Sequence, residues 1–259
     1  MRRVSLAPGR RALLAGLGIV LVAGGLYAVA RQTSVFAIRS IHVGGAPAPV
    51  AAQVERALAP YLGRSLVGLD GGAVVRRVDS LPTVVGAVLD RSFPHTLRVV
   101  VTPERPVAVL RHGPDAWLVS ARARLIARVG IGGHPKLPRI WLGTNASIGP
   151  VGAFLAPDTG AVAARALAFA SGFPDRIQTA TDTGGTLQFQ LSSGVSLRLG
   201  DSANLPLKLA VARRALRALP AGTTYLDVSL PGRPVSGASS ALPALTTTVM
   251  ANPQVSTGG

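Results

Sequence analysis

Apolar residues recur at every second position in some stretches of the chain and at every third or fourth in others, and this change of period predicts its elements. Phe36 to Val43 alternates apolar with other residues and stops at Gly44-Gly45, the pattern of a strand. Pro47 and Pro49 then precede Val50, Val54, Leu58, Tyr61 and Leu62, whose spacing puts them on one side of a helix ending near Gly63. Asp70 offers an oxygen to the unpaired N–H groups of a second, short helix with Val74, Val75, Val78 and Leu81 on its apolar face and Pro82 as its stop. Val85, Ala87 and Leu89 alternate with Gly86, Val88 and Asp90. After the Phe93-Pro94-His95 turn, Leu97, Val99 and Val101 alternate with Arg98, Val100 and Thr102, so these two strands form a hairpin. One sheet face covered by two helices makes a compact βααββ unit over 36–105, near the lower size limit for standing alone.

From Pro106 to about Val235 strands dominate: Val107–Leu110, Trp117–Val119, Leu125–Ala127, Arg139–Leu142, Thr186–Leu191 and Val195–Leu199. Ser192-Ser193-Gly194 connects the last two as a hairpin. Two helices interrupt them, one over 158–171, closed by Gly172 and Pro174, and one over 205–219. In the second, Leu209, Ala212, Leu216 and Leu219 share a face, and Arg213 with Arg217 shares another, read as the solvated side. Tyr225 to Leu230 is the terminal strand. Residues 236–259, rich in Ser, Thr, Ala, Pro and Gly and without charge, read as a disordered tail. The fold class is α+β: a small βααββ domain followed by a mainly antiparallel β domain, 106–235, with two or more helices.

Ahead of these domains, residues 12–30 carry no charge and mix Leu, Ile, Val, Ala and Gly. Nineteen helical residues rise about 28 Å, close to the thickness of a bilayer's hydrocarbon core. Arg2, Arg3, Arg10 and Arg11 precede the run, making 1–11 a basic cytoplasmic segment, and everything after Arg31 is then exported. Ala28-Val29-Ala30 leaves a second reading open, a cleaved signal peptide, although the run exceeds the usual length of a secretory apolar region.

The chain has no cysteine, which excludes thiol catalysis, thiolate metal sites and disulfide staples. Its net charge of +16 comes almost wholly from scattered Arg, with only Lys136 and Lys208 as lysines. No dense basic block marks a nucleic-acid surface. Spread positive charge on an exported protein favours anionic lipid head groups or anionic wall polymers. His42, His95, His112 and His134 are isolated, no His-Glu-x-x-His run occurs, and Glu55 and Glu104 are the only glutamates. Hydrolase chemistry therefore has little material, and Glu104, beside Arg105, reads as half of a structural ion pair.

Several short motifs stand in a telling order. Gly63 with Leu66 follows the first helix; Leu81-Pro82, Val84, Ala87, Leu89, Arg91, Phe93-Pro94 and Thr96-Leu97 build the hairpin; Glu104-Arg105-Pro106-Val107-Ala108 joins the domains. Leu199-Gly200, Lys208-Leu209 and Tyr225-Leu226-Asp227-Val228-Ser229 follow. Together they resemble the FtsQ/DivIB family of bacterial division proteins, whose first exported domain is called POTRA, over about residues 10 to 235. Val119-Ser120-Ala121-Arg122-Ala123 departs from the family's Val-Asp and Gly-containing turn, and the tail beyond Ser236 is unmatched.

The resemblance implies a single-pass, non-catalytic scaffold at the division septum, with its N-terminus cytoplasmic and no cofactor, metal or nucleic acid. It would join FtsB and FtsL/DivIC-type single-pass proteins to the septal peptidoglycan synthase complex. It also implies partner binding along the last strands, at Tyr225, Asp227, Ser229, Leu230 and Arg233. An edge strand suits this, because its unpaired N–H and C=O groups accept a partner strand. The alternative is a POTRA-type exported chaperone or secretion accessory, which predicts repeated POTRA units.

Overall fold

The computed structural model describes residues 10–32, 34–142 and 146–238. Within these the chain is α+β and divides into two compact units, one ending at Arg165 and one beginning at Ala166.

The first unit opens with helix α1 (Arg10–Gln32). The expected crossing, 12–30, falls within it, but side chains at 12, 13, 26, 28 and 30 lie outside the described residues, as do residues 1–9 of the basic segment. Among the described residues no helix is long and apolar enough to cross a membrane.

The βααββ unit has the expected elements. Strand β1 (Ser40–Gly44), helices α2 (Ala48–Leu58) and α3 (Gly71–Asp79), and strands β2 (Val84–Ser92) and β3 (Thr96–Pro103) form a three-stranded sheet in the order β1-β3-β2. β1 runs parallel to β3, while β2 is antiparallel to it. The first strand is shorter than its alternation suggested. Ile38 N–H donates to the Arg64 carbonyl at 2.9 Å and Arg39 N–H to the His95 carbonyl at 2.8 Å, so residues 37–39 bond to turns and not along a strand. Val54, Leu58, Val74 and Val78 seal the helices onto Leu97, Val99 and Val101 of the sheet, all of them buried.

Asp70 caps α3 as expected, its Oδ1 accepting the Ala73 N–H at 3.0 Å. Arg76 contributes little there, since its ion pair with Asp70 is long at 3.8 Å and exposed on both sides. Asp70→Ala should therefore cost about 1 kcal/mol. A shift of the urea midpoint at unchanged m-value measures it, and no shift would mean that the cap bond is replaced by water without loss.

Four further strands follow in the same unit: β4 (Pro106–His112), β5 (Asp115–Ser120), β6 (Leu125–Val129) and β7 (Arg139–Trp141). They lie in the order β7-β4-β5-β6, with β7 parallel to β4 and the other pairs antiparallel. The junction into them is pinned by side chains. Glu104, buried, accepts from Arg122 Nη2 at 2.9 Å and Nε at 3.2 Å, so the partner of Glu104 is Arg122 and not its neighbour Arg105.

The turn that departs from the family pattern closes by two devices. Ser120 Oγ accepts the N–H groups of Arg122 and Arg124, at 3.2 and 3.1 Å, and Ala123 takes the left-handed φ of 63° that a glycine would adopt more easily.

Helix α4 (Ala161–Phe169) replaces the longer helix expected over 158–171, because 157–159 forms a 3-10 turn and Gly160, at φ 90°, separates the two.

In the second unit, β8 (Ile177–Thr183), β9 (Thr186–Leu191), β10 (Ser196–Gly200), β11 (Tyr225–Asp227) and β12 (Val235–Gly237) lie in the order β12-β11-β10-β9-β8. The β9–β10 hairpin pairs as expected, with Leu197 opposite Phe189. Helix α5 (Leu205–Leu216) links β10 to the parallel β11 and buries Leu209 and Ala212. Arg213, expected on the solvated side, instead donates from Nη2 to the Ser171 carbonyl at 2.7 Å and lies over the Phe173 ring.

Candidate interaction surface

The C-terminal strands are held by contacts that the sequence motifs mark. After β10, Gly200 turns at φ 66°, and a Cβ there would stand 2.8 Å from the Cβ of Ser229. Only glycine fits both the angle and the approach. Asp201 follows at once, and Lys208 Nζ reaches back from α5 to its Oδ1 at 2.6 Å and its carbonyl at 3.0 Å. The Lys208 hydrogen bond, the Ala203 N–H and the Lys208 charge hold the Asp201 carboxyl below its ordinary pKa. Leu199-Gly200 and Lys208-Leu209 thus set the position from which the chain returns as β11.

On β11, Leu226 is buried, and Val228 just beyond it is buried too, its N–H donating to the Arg198 carbonyl at 2.9 Å. Tyr225 and Asp227 alternate with them and are half-buried. The guanidinium of Arg198 lies 5.5 Å from the Tyr225 ring centroid. Asp227 Oδ1 accepts the Ser229 N–H at 2.9 Å, a local turn bond that ends the strand. The strand expected over 225–230 is accordingly three residues long, 225–227.

Leu230 and Arg233 are exposed and flank Pro231-Gly232 in a turn closed by the Arg233 N–H to the Leu230 carbonyl at 2.9 Å. The chain then folds back, pairing Tyr225 with Gly237, Leu226 with Ser236 and Asp227 with Val235. Tyr225 covers Gly237, where a Cβ would come 3.0 Å from its Oη.

This hairpin corrects two expectations. β11 is not an edge, because it is bonded to β10 on one side and β12 on the other. The tail expected to be disordered from 236 is also paired at its start, since 235–237 forms β12; residues 239–259 lie outside the described residues. Among the described residues the outer strand of this sheet is β12, with Val235 54% and Leu230 68% exposed beside it. The structure thus gathers Tyr225, Leu230 and Arg233 around one hairpin but turns Asp227 and Ser229 toward local bonds. Val235 to Gly237 escaped the sequence reading because Ser and Gly enrichment masked a three-residue strand; the Pro231-Gly232 turn before Val235 was its available signal.

His95 ties the turn after β2 to the segment before β1, its Nδ1 lying 3.1 Å from the Ala37 carbonyl oxygen.

A family model described as POTRA domain, FtsQ-type, matches residues 36–104. The cell division protein FtsQ of Streptomyces venezuelae is 34% identical over 142 residues, which cover 54% of this chain and 52% of that protein. That of Caulobacter vibrioides is 26% identical over 137 residues, 53% of this chain and 44% of its own length. In both cases this chain spans about half of the curated relative. That of Streptomyces coelicolor is 26% identical over 239 residues, 89% of each chain. The domain match falls on the βααββ unit, and the long alignment runs on through the strands that follow. Residues 36–104 thus match an FtsQ-type POTRA domain, and the chain as a whole is similar to these cell division proteins.

Proposed function

We propose that this protein is a non-catalytic scaffold of the bacterial division machinery, anchored by α1 and binding FtsB and FtsL/DivIC-type single-pass proteins through the outer edge of β12. Its relatives are named cell division proteins, which supports the process. The uncharged run 12–30 supports the anchor, and Leu14, Leu17, Ile19, Val20, Leu21 and Val22 along α1 are all more than half exposed, as side chains meant for lipid would be. The arginines ahead of the run favour a cytoplasmic N-terminus with the domains outside, at the septum, near the peptidoglycan synthase complex.

One observation carries the partner assignment: among the described residues β12 is the outermost strand of its sheet, with a row of backbone groups beside exposed Leu230, Val235 and Arg233. A partner strand added there gains main-chain hydrogen bonds, and alternate side chains select its sequence. Asp227 and Ser229 support the surface from behind by shaping the turn.

The test is co-purification of FtsB- and FtsL-type proteins with the tagged full-length chain from solubilised membranes. Tyr225→Ala, Leu230→Lys and Arg233→Glu are each expected to lower recovery, Leu230→Lys most, by about tenfold. Unchanged melting temperatures separate lost binding from lost folding. Full recovery with all three variants would reject the docking assignment.

A further inference from the structure

Arg111 of β4 and Arg139 of β7 share one face of the first unit's sheet. The parallel register sets Val109 opposite Arg139 and Arg111 opposite Trp141, and alternate residues of a strand point the same way. Both guanidinium groups reach the loop between β6 and β7: Arg111 Nη1 donates to the Ile131 carbonyl and Arg139 Nη2 to the Gly133 carbonyl, each at 3.0 Å. Arg111 also lies 5.1 Å from the centroid of the Trp141 ring, which is itself 52% exposed. Lys136, exposed on the same loop, adds a third positive charge.

Among the described residues no Asp or Glu forms an ion pair with this group. All eleven Asp and Glu of the chain fall within the described residues, and their ion pairs engage Arg76, Arg122, Arg128 and Lys208. Arg111 Nε and Arg139 Nη1 are buried and have no hydrogen-bond acceptor among the described residues. Burial, and then the charge of Arg111, hold the Arg139 guanidinium below its ordinary pKa. Carbonyl dipoles offset only part of such repulsion, whereas one oxyanion shared by two guanidinium forks offsets it directly.

We propose that Arg111 and Arg139, with Trp141 beside them, form a binding site for the acidic group of an anionic glycan. The two forks hold the carboxylate, and the exposed indole gives the neighbouring sugar ring a flat, amphipathic surface. A lipid surface fits less well, because polybasic lipid-binding clusters gather about four to eight Lys or Arg, and this patch has three.

The chain has two tryptophans, so Trp117→Phe leaves Trp141 as its only indole and makes the site readable by fluorescence. The full-length protein in nonionic detergent is titrated with a galacturonic acid hexamer, a neutral galactose hexamer, inorganic phosphate, and vesicles of phosphatidylcholine with phosphatidylglycerol. The acidic hexamer should give a saturable change that weakens with salt and is about tenfold weaker in Arg111→Gln and in Arg139→Gln. Lys136→Glu, which holds no part of the fold, should weaken it about threefold by charge alone. Arg56→Gln, on α2, should leave it unchanged. The proposal is overturned if the acidic hexamer gives no saturable signal, if the variants bind it equally, or if the neutral hexamer, phosphate or the vesicles bind as tightly.

Discussion

Arg124→Ala is expected to lower the stability of the first unit by about 3 kcal/mol, a large effect for a residue outside the apolar core. Arg124 is only 9% exposed and donates from Nη1 to the Val84 carbonyl at 2.8 Å and from Nε to the Gly152 carbonyl at 2.9 Å. Val84 opens β2 of the POTRA domain, and Gly152 lies beyond β7, so one side chain ties the two parts of the unit together. Hydrogen bonds from a charged donor contribute about 1.5–3 kcal/mol each, and alanine leaves both carbonyls short of that donor. The Phe154 ring, 5.7 Å from this guanidinium and 5.6 Å from that of Arg122, loses one of its two cations as well. Arg124→Lys keeps the charge but lacks the fork that spans both carbonyls, so it should recover less than half of the loss. Urea unfolding of the full chain in nonionic detergent, fitted at constant m-value, measures both variants. A loss below about 1 kcal/mol for Arg124→Ala would show that the tie contributes little beyond an ordinary neutral bond.

Gly200→Val is the second large effect, about 3 kcal/mol, and it bears on binding without touching the proposed docking strand. A β-branched residue at φ 66° is strained by about 1–2 kcal/mol. Its Cβ would also stand 2.8 Å from the Cβ of Ser229, so either β10 or the segment after β11 must shift, at a further cost of about 1–3 kcal/mol. The shift falls on residues that shape the turn before β12. Partner co-purification should therefore drop with Gly200→Val although none of Tyr225, Leu230 and Arg233 has changed. The companion variant Ser229→Gly, made in the Gly200→Val background, removes the colliding atom and should restore part of both stability and recovery. If the double variant is no better than Gly200→Val alone, the collision is not the cause.

The POTRA domain was legible because its signals are local. Pro47, Asp70 and Pro82 punctuate the helices, and the alternation in 84–103 survives because one sheet face is buried and the other is not. Strand β8 was invisible for the opposite reason. Thr dominates it, only Ile177 and Ala180 are buried, and a bulge between Ile177 and Thr179 breaks the period of two. The geometry of the candidate surface was legible in part: the motif at 225–229 drew attention to this stretch of chain, but a three-residue strand has too few alternating positions to reveal its partner.

Periodicity, caps and turn residues, all properties of neighbours along the chain, were enough to establish an α+β chain with an uncharged run ahead of a βααββ domain, and motif order pointed to the family. Which strand closes the last sheet, that Glu104 pairs with Arg122, and that Arg111 and Arg139 meet without an Asp or Glu in ion pair depend on residues brought together from distant positions. Strand pairing and ion pairing are chosen by the geometry of the packed sheet, where register and burial select among many partners that look equivalent in the linear chain.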